Sequence, residues 1–257
     1  MALLGPDFRA GLRHSQYRPE NFAGLGWAIS IFVALVIVNQ VLAAGFGLAL
    51  RSAFGGPDAS VGESIKFLLA GLLPASLVTV MLAIILAQYR GGTAGGVLGL
   101  RVPALGPGGW VIAVLGFLTV MYLFIAVVMQ LVSIEDGDIG VVETAMRELG
   151  RDPLYPVVAA AIAFGAPLAE ELTFRGQIFA ALSQTRLGRS GTAVLTSAAW
   201  AALHITEPLH AVALLFVMGL ALSFLLVRFG SLWVPIACHM VWNAIVAYAS
   251  FSLAPPL

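Results

Sequence analysis

Seven long apolar segments, separated by short polar stretches, dominate the pattern of hydrophobic and polar positions along the chain. A helix needs about 20 apolar residues to cross the hydrocarbon core of a bilayer. The predicted spans are Leu25–Leu50, Ser64–Gln88, Gly109–Val132, Leu154 to about Gln184, Gly191–Ile205, Leu209–Val227 and Leu232–Phe251. The fourth is long enough to tilt or to extend beyond the bilayer, and the fifth is the shortest. The pattern therefore predicts an all-α, polytopic membrane bundle of about seven transmembrane helices.

Composition supports a membrane protein. Only 10% of the 257 residues are charged and 60% are hydrophobic, whereas a soluble domain carries about 25% charged residues. The sequence has no Walker loop, no dinucleotide fingerprint and no basic patch, so we expect no nucleic-acid partner. The single cysteine, Cys238, excludes an intramolecular disulfide.

The chain divides into a polar tail and one membrane domain. Residues 1–24 contain Arg9, Arg13 and Arg18 but no short apolar core followed by a cleavage site, so we expect no removable signal peptide and a retained first span. No internal repeat and no long linker interrupts the rest. We predict a cytoplasmic tail over residues 1–24 and a single transmembrane domain over residues 25–257.

The basic residues predict the orientation, because cytoplasmic loops are enriched in Arg and Lys. A cytoplasmic N-terminus places nine basic residues inside, namely Arg9, Arg13, Arg18, Arg90, Arg101, Arg175, Arg186, Arg189 and Arg228. It places four outside, namely Arg51, Lys66, Arg147 and Arg151. The acids Asp58, Glu63, Glu135, Asp136, Asp138, Glu143, Glu148, Asp152 and Glu207 then all fall outside. We predict an inside N-terminus and an outside C-terminus.

Two connecting segments have patterns of their own. Ile139–Gly150 carries apolar residues at helical spacing and predicts either an amphipathic helix on the membrane surface or a capped loop helix packed on the bundle. Arg90–Gly109 is rich in Gly and Pro and predicts a cytoplasmic loop.

Three ionisable residues interrupt the most apolar part of the fourth span. Glu170 and Glu171 are adjacent, and Arg175 follows four residues after the second. A charged side chain at membrane depth costs about 2.5–3.5 kcal/mol even on lenient scales. A structural ion pair explains one acid, but not both, so the pair of glutamates is the first candidate for chemistry.

Polar residues in later spans repeat the same spacing. Trp200 and His204 are four residues apart, as are His239 and Asn243, so each pair shares a helix face. Counted from the helix ends, Glu170 and His204 both lie about 20 Å from the inner side, and we expect them to meet. His239 lies shallower, about 10 Å from Leu232, unless its helix starts deeper or tilts. The alternatives are a core histidine at 204 and interhelical polar contacts at 239 and 243.

Glu-Glu-x-x-x-Arg, aromatic-x-x-x-His and His-x-x-x-Asn, in this order, resemble the motifs of the CAAX-protease and bacteriocin-processing (CPBP, or Abi) family of intramembrane proteases. The eukaryotic prenyl-protein endoprotease belongs to the same group. The resemblance covers about residues 154–248, whereas the N-terminal helices are generic. One departure is Trp200, where the family usually has Phe.

Peptide hydrolysis needs an activated water, a stabilised oxyanion and a proton for the leaving amine. The expected general base, and then acid, is Glu170. His204 would help to hold and polarise the water. His239 and Asn243 would donate hydrogen bonds to the oxyanion.

The second glutamate, Glu171, is expected to form an ion pair with Arg175. This pair would fix the helix and balance the charge of the site. We expect loss of the arginine to destabilise the protein more than loss of Glu171. Without Glu171, the arginine would snorkel to the cytoplasmic interface or pair with Glu170. The family has been interpreted both as metalloproteases and as metal-free glutamate proteases. If a divalent metal such as zinc is present, Glu170, His204 and His239 are the expected ligands. The asparagine of the third motif is a poor zinc ligand, which favours metal-free catalysis.

The sequence thus predicts an intramembrane endopeptidase that acts on a membrane-associated or lipidated protein or peptide. The alternative is a non-catalytic scaffold, chaperone or accessory subunit of a larger membrane complex. A bacterial inner membrane is expected, because the chain is compact and lacks sorting signals. Bacteria generally lack prenylated CAAX proteins, so a prenyl-protein substrate in the strict sense is not expected.

Overall fold

The structure is a computed structural model that describes residues 2–20, 24–55, 61–89, 92–131, 140–150 and 152–253. Within these ranges all regular structure is helical. A short 3-10 helix, Ala2–Leu4, is followed by α1 (Pro6–Arg13), α2 (Leu25–Phe54), α3 (Val61–Gln88), α4 (Ala94–Val97), α5 (Pro107–Leu131), α6 (Val141–Leu149), the continuous α7 (Tyr155–Leu182), α8 (Gly188–Ala202), α9 (Leu209–Phe229) and α10 (Trp233–Ser252). The polytopic helical bundle predicted from the sequence is confirmed.

Six helices of the described chain are long and apolar enough to cross a membrane: α2, α3, α5, α7, α9 and α10. The fifth predicted span is α8, which has 15 residues. At 1.5 Å per residue it reaches about 22 Å, which is less than the hydrocarbon thickness of about 30 Å. The predicted count of seven full spans is therefore not confirmed.

Two glycines bring α2 and α3 into direct backbone contact. A Cβ atom on Gly47 would lie 2.8 Å from the Cα of Leu68, and one on Gly71 would lie 2.5 Å from the carbonyl oxygen of Ala43. Small residues of this kind let membrane helices approach closely and gain van der Waals contact. The α2–α3 pair forms one wall of the bundle beside α7.

One end of the bundle, called here the N-terminal end, is formed by residues 2–20, 92–106, 183–187 and 230–232. The amide of Gln16 donates to the carbonyl of Val227 at 3.2 Å. The guanidinium of Arg189 donates to the carbonyl of Tyr17 at 3.2 Å. These contacts place the start of α8 and the end of α9 together, so the two helices pack antiparallel.

The opposite end, called here the α6 end, brings together the start of α3, the start of α7 and the loop after α8. Lys66 forms a 2.9 Å ion pair with Asp152. The amide of Val142 donates to Glu207 Oε1 at 3.3 Å. The loops predicted to share a compartment thus share an end of the bundle, as far as the structure describes them.

α6 packs on the bundle. Met146 and Leu149 are buried among Leu69, Val158 and Ala247, which agrees with the second of the two alternatives for this segment. The predicted start of the helix at Ile139, the predicted end of the third span at Val132, the predicted start of the cytoplasmic loop at Arg90 and the acids Asp58, Glu135, Asp136 and Asp138 lie outside the described residues.

We expect the α6 end to lie on the outer side of the membrane. An impermeant maleimide should label a Glu148→Cys variant in intact cells, because Glu148 is exposed on α6. A His14→Cys variant, exposed at the N-terminal end, should be labelled only after permeabilisation. The native Cys238 is fully buried, so the unsubstituted protein serves as the blank. The reverse labelling pattern would overturn the orientation.

Candidate active site

The helix that carries the two glutamates is irregular at two places. Within α7, Ala161–Gly165 and Glu171–Ile178 are π-helical, and a normal α-helical turn separates them at Ala166–Glu170. Short π-helical segments are rare and occur frequently at functional sites. Every side chain of Glu171–Ile178 is buried, so the wider turn projects polar groups into the bundle.

Proline creates an unpaired carbonyl in the first π-helical segment, and Asn243 satisfies it. The amide of Ala166 bonds to the carbonyl of Ala161, five residues back. The same pattern would pair the carbonyl of Ile162 with residue 167, which is Pro167 and has no N–H. Asn243 Nδ2 donates to this carbonyl at 2.9 Å. The asparagine therefore joins α10 to α7 instead of lining the cavity.

Glu171 and Arg175 form an ion pair with no exposed side-chain surface, 3.0 Å between Arg175 Nη1 and Glu171 Oε1. The same oxygen lies 3.0 Å from Nδ1 of His239. The guanidinium carbon lies 4.8 Å from the centre of the Trp200 ring, in a cation–π contact. A Cβ on Gly219 would lie 3.0 Å from Nη2 of the arginine, so this glycine makes room for the charge.

Glu170 differs from its neighbour because its side chain is 27% exposed. Its Oε2 accepts a hydrogen bond of 2.9 Å from the indole N–H of Trp200. His239 Nε2 lies 3.9 Å from the same oxygen, which is beyond hydrogen-bonding distance. The carboxylate is thus held at one oxygen while part of it faces open space.

Trp200 is the residue on which the three motifs converge. Its ring is 1% exposed and makes edge-to-face contacts with His204 and His239, with centroids 5.5 Å and 5.4 Å apart. The sequence identified Trp200 as an aromatic that replaces Phe. The role of its indole N–H was missed, although an N–H donor is the chemical difference between the two side chains.

The hydrogen bonds of the two histidines determine their tautomers. His204 Nδ1 lies 3.0 Å from the carbonyl oxygen of Trp200, which can only accept, so Nδ1 carries the proton. His239 Nδ1 likewise donates to the carboxylate of Glu171. In both rings Nε2 is then the nitrogen that can accept a hydrogen bond or a proton from another group.

The third-motif histidine reaches the glutamates because α10 starts inside the protein. Leu232 and Ser231 have no exposed surface, and the amide of Leu232 donates to the carbonyl of Gly99 at 2.8 Å. The loop before α5 therefore covers the start of α10. The deeper start of this helix, one of the alternatives considered from the sequence, brings His239 to the depth of Glu171.

A cavity of about 310 Å³ opens beside Glu170. His204 and Thr173 line it together with Glu170, and it extends to Glu207 and Val142 at the α6 end. The other candidate side chains, Glu171, Arg175, His239 and Asn243, are not among its lining residues. The arrangement combines a partly open carboxylate and a histidine at a cavity wall with a buried charged layer behind them.

Within the described residues no three His, Cys, Asp or Glu side chains are placed to hold one ion. The expected set of Glu170, His204 and His239 therefore does not fit a zinc site with three protein ligands.

The buried pair gives a stability prediction that reverses the one made from sequence. Arg175 has no exposed surface, so it cannot snorkel, and a guanidinium stays charged. Glu171→Ala should therefore leave an unpaired buried cation, at a cost of about 3–5 kcal/mol. Arg175→Ala leaves a carboxyl group that keeps its bond to His239 and can bind a proton. Melting temperatures in detergent should rank wild type above Arg175→Ala and Arg175→Ala above Glu171→Ala, and the opposite order of the variants would contradict the geometry.

Gly219 provides an independent test of the packing around the arginine. A methyl group there would lie 2.7 Å from the Cβ of Ser197 and 3.0 Å from Nη2 of Arg175. Gly219→Ala should lower the free energy of unfolding by about 1–3 kcal/mol through overpacking. The matched change Gly116→Ala on α5, where a Cβ would contact nothing within 4 Å, should not destabilise the protein. Equal melting temperatures of the two variants would show that the arginine is placed elsewhere.

One of three comparisons with known proteins found a match, and it covers the segment that contains the motifs. No curated protein and no solved structure matched the chain. Residues 152–245 match the family model described as Type II CAAX prenyl endopeptidase Rce1-like, a segment that begins just before α7 and contains all three motifs. This match confirms the resemblance seen in the sequence: over residues 152–245 the chain carries an Rce1-like domain of the CPBP family of CAAX-type intramembrane proteases.

Proposed function

We propose that this protein is an intramembrane endopeptidase that hydrolyses a peptide bond of a membrane-associated or lipidated substrate. The observation that carries the proposal is the environment of Glu170. Its carboxylate lines the cavity, is held by the indole of Trp200, and lies next to the buried Glu171–Arg175 pair.

Glu170 is the proposed general base. The Trp200 hydrogen bond occupies Oε2 and leaves Oε1 to take a proton from a water in the cavity. A positioned base of this kind contributes about 10²–10⁴-fold to the rate. His204 lines the same cavity, and its Nε2 is the nitrogen that would hold the attacking water.

His239 is the proposed proton carrier and oxyanion partner. Its Nε2 carries no proton in this tautomer and lies 3.9 Å from Glu170 Oε2, so after a small movement it could accept the proton that Glu170 takes from the water. The Glu171 carboxylate accepts the Nδ1 proton and so keeps Nε2 directed toward Glu170. Once Nε2 has received that proton, the ring could donate a hydrogen bond to the oxyanion and then give the proton to the leaving amine.

For Asn243 we propose a positioning role. One N–H of its amide satisfies the Ile162 carbonyl, which ties α10 to the segment of α7 that precedes Glu170. An oxyanion contact, as expected from the motif, would use the second N–H of the same amide.

The cavity reaches Val142 and Glu207, so a substrate would approach from the α6 end. If the N-terminus is cytoplasmic, that end faces outward, and the site would act on peptides at the outer leaflet of a bacterial inner membrane. This placement rests on the charge distribution and is tested by the labelling experiment above.

Glu170→Gln tests the proposal. The substitution keeps the size of the side chain and an oxygen for the Trp200 N–H but removes the base. Cleavage of an internally quenched, farnesylated CAAX peptide, or of its palmitoylated counterpart, should fall by about 10²-fold or more in proteoliposomes. The melting temperature should remain that of wild type.

Glu148→Gln is the matched control, because Glu148 is exposed on α6 and lines no part of the cavity. It should cleave at the wild-type rate. Equal cleavage by wild type and Glu170→Gln would show that Glu170 is not the base. A pure wild-type protein that cleaves neither peptide would favour the scaffold alternative.

A further inference from the structure

α2 carries two amide side chains where an apolar sequence would be expected. Asn39 and Gln40 lie in the middle of this 30-residue helix, within the run Val36-Ile37-Val38-Asn39-Gln40-Val41-Leu42. Polar side chains at the centre of a membrane helix are costly and are generally functional. Neither residue lies in the segment that matches the family model.

The two amides differ in what they bond. Asn39 Nδ2 donates to Thr79 Oγ1 on α3 at 3.1 Å, and the Thr79 hydroxyl in turn donates to the Ala75 carbonyl at 2.9 Å. Asn39 therefore also links α2 to α3. In the part of the chain that the structure describes, the Gln40 amide has no hydrogen-bond partner, and its side chain is exposed. Helix packing does not explain it.

Asn39, Gln40 and Thr79 line the same cavity as Glu170 and His204. One wall of the cavity thus carries the candidate catalytic groups, from α7 and from the residues after α8. The other wall is a polar strip from α2 and α3. This strip, Asn39, Gln40 and Thr79, is called the amide wall.

We propose that the amide wall binds the main chain of an extended peptide substrate, with Gln40 pairing to a peptide N–H and C=O next to the scissile bond. The inference rests on the proposed function, because it concerns the substrate of the same site. It assigns substrate binding to a part of the protein outside the family-matched segment.

The chemistry of the substrate favours this assignment. A helix hides its peptide bonds, so a segment must be extended before a water can attack it. An extended segment exposes N–H and C=O groups, each of which costs several kcal/mol if it is unpaired in a water-poor environment. A primary amide offers both a donor and an acceptor, as a neighbouring β-strand does in peptide recognition. Such recognition tolerates many side chains.

Peptide binding to the Glu170→Gln variant, which should not cleave the peptide, tests whether the amide wall binds substrate. The probes are a fluorescent, farnesylated CAAX peptide and its analogue with N-methylated amides next to the scissile bond. Adding Gln40→Leu should weaken binding of the unmodified peptide about tenfold, as expected for the loss of hydrogen bonding at one side chain. The Glu170→Gln variant and the Glu170→Gln/Gln40→Leu double variant should bind the methylated analogue with similar affinity. The melting temperature should not fall, because Gln40 has no internal partner to lose.

Gln130→Leu is the matched control, because Gln130 is exposed on α5 and does not line the cavity; it should bind both peptides as the Glu170→Gln background does. Asn39→Leu should weaken binding and also lower the melting temperature, because it breaks the bond to Thr79. Unchanged binding by Gln40→Leu, an equal loss for both peptides, or no binding to the background would each overturn the inference. Failure of the proposed function is separate: it would appear as equal cleavage by wild type and Glu170→Gln.

Discussion

A guanidinium group with no exposed surface lies inside a helical bundle that is otherwise mainly apolar. Such a charge is tolerated only where it is paired, and the protein surrounds Arg175 with the Glu171 carboxylate and the face of the Trp200 ring. Gly219 on α9 leaves the space, and His239 on α10 donates to the same oxygen of the Glu171 carboxylate as the arginine does. One buried charge thus fixes four helices, α7 to α10, against one another.

The position of Glu170 follows from this pair. Adjacent residues on a helix point about 100° apart, so Glu170 points to a different side of α7 from Glu171, which faces the arginine. The cavity lies on that side, and the indole N–H of Trp200 reaches the carboxylate from α8. Adjacent glutamates can therefore take different roles, one as a buried structural group and one as a group open to solvent and substrate. A structural pair alone would not require the second acid.

Much of the site could be predicted from sequence, because charges within apolar spans are costly enough to stand out. Polarity within apolar spans, spacing and the family resemblance pointed to five residues that the structure brings to one region: Glu170, Glu171, Arg175, His204 and His239. Other features depend on the backbone path, which spacing does not show. The contact of Asn243 with the Ile162 carbonyl requires the π-helical turn before Pro167. The depth of His239 requires the buried start of α10, which the loop at Gly99 covers.

The fold also has features that the sequence predicts and features that depend on packing. Hydropathy located the long spans, but the predicted count of seven full spans is not confirmed. The 15 residues of α8 are short for a bilayer. The packing of α6 depends on Met146 and Leu149 meeting the bundle, and an amphipathic pattern suits a membrane surface equally well. Asn39 and Gln40 lie in the N-terminal half of the chain, outside all three motifs of the sequence.

The central claim is that the Trp200 indole N–H holds the Glu170 carboxylate, and nitrogen-15 NMR of the indole groups tests it most directly. The sequence contains five tryptophans, and Trp200→Phe assigns the resonance. A hydrogen bond to a carboxylate should shift that N–H downfield, and Glu170→Gln should move it upfield while the other four indole resonances stay in place. An indole resonance of Trp200 that does not respond to Glu170→Gln would contradict the account.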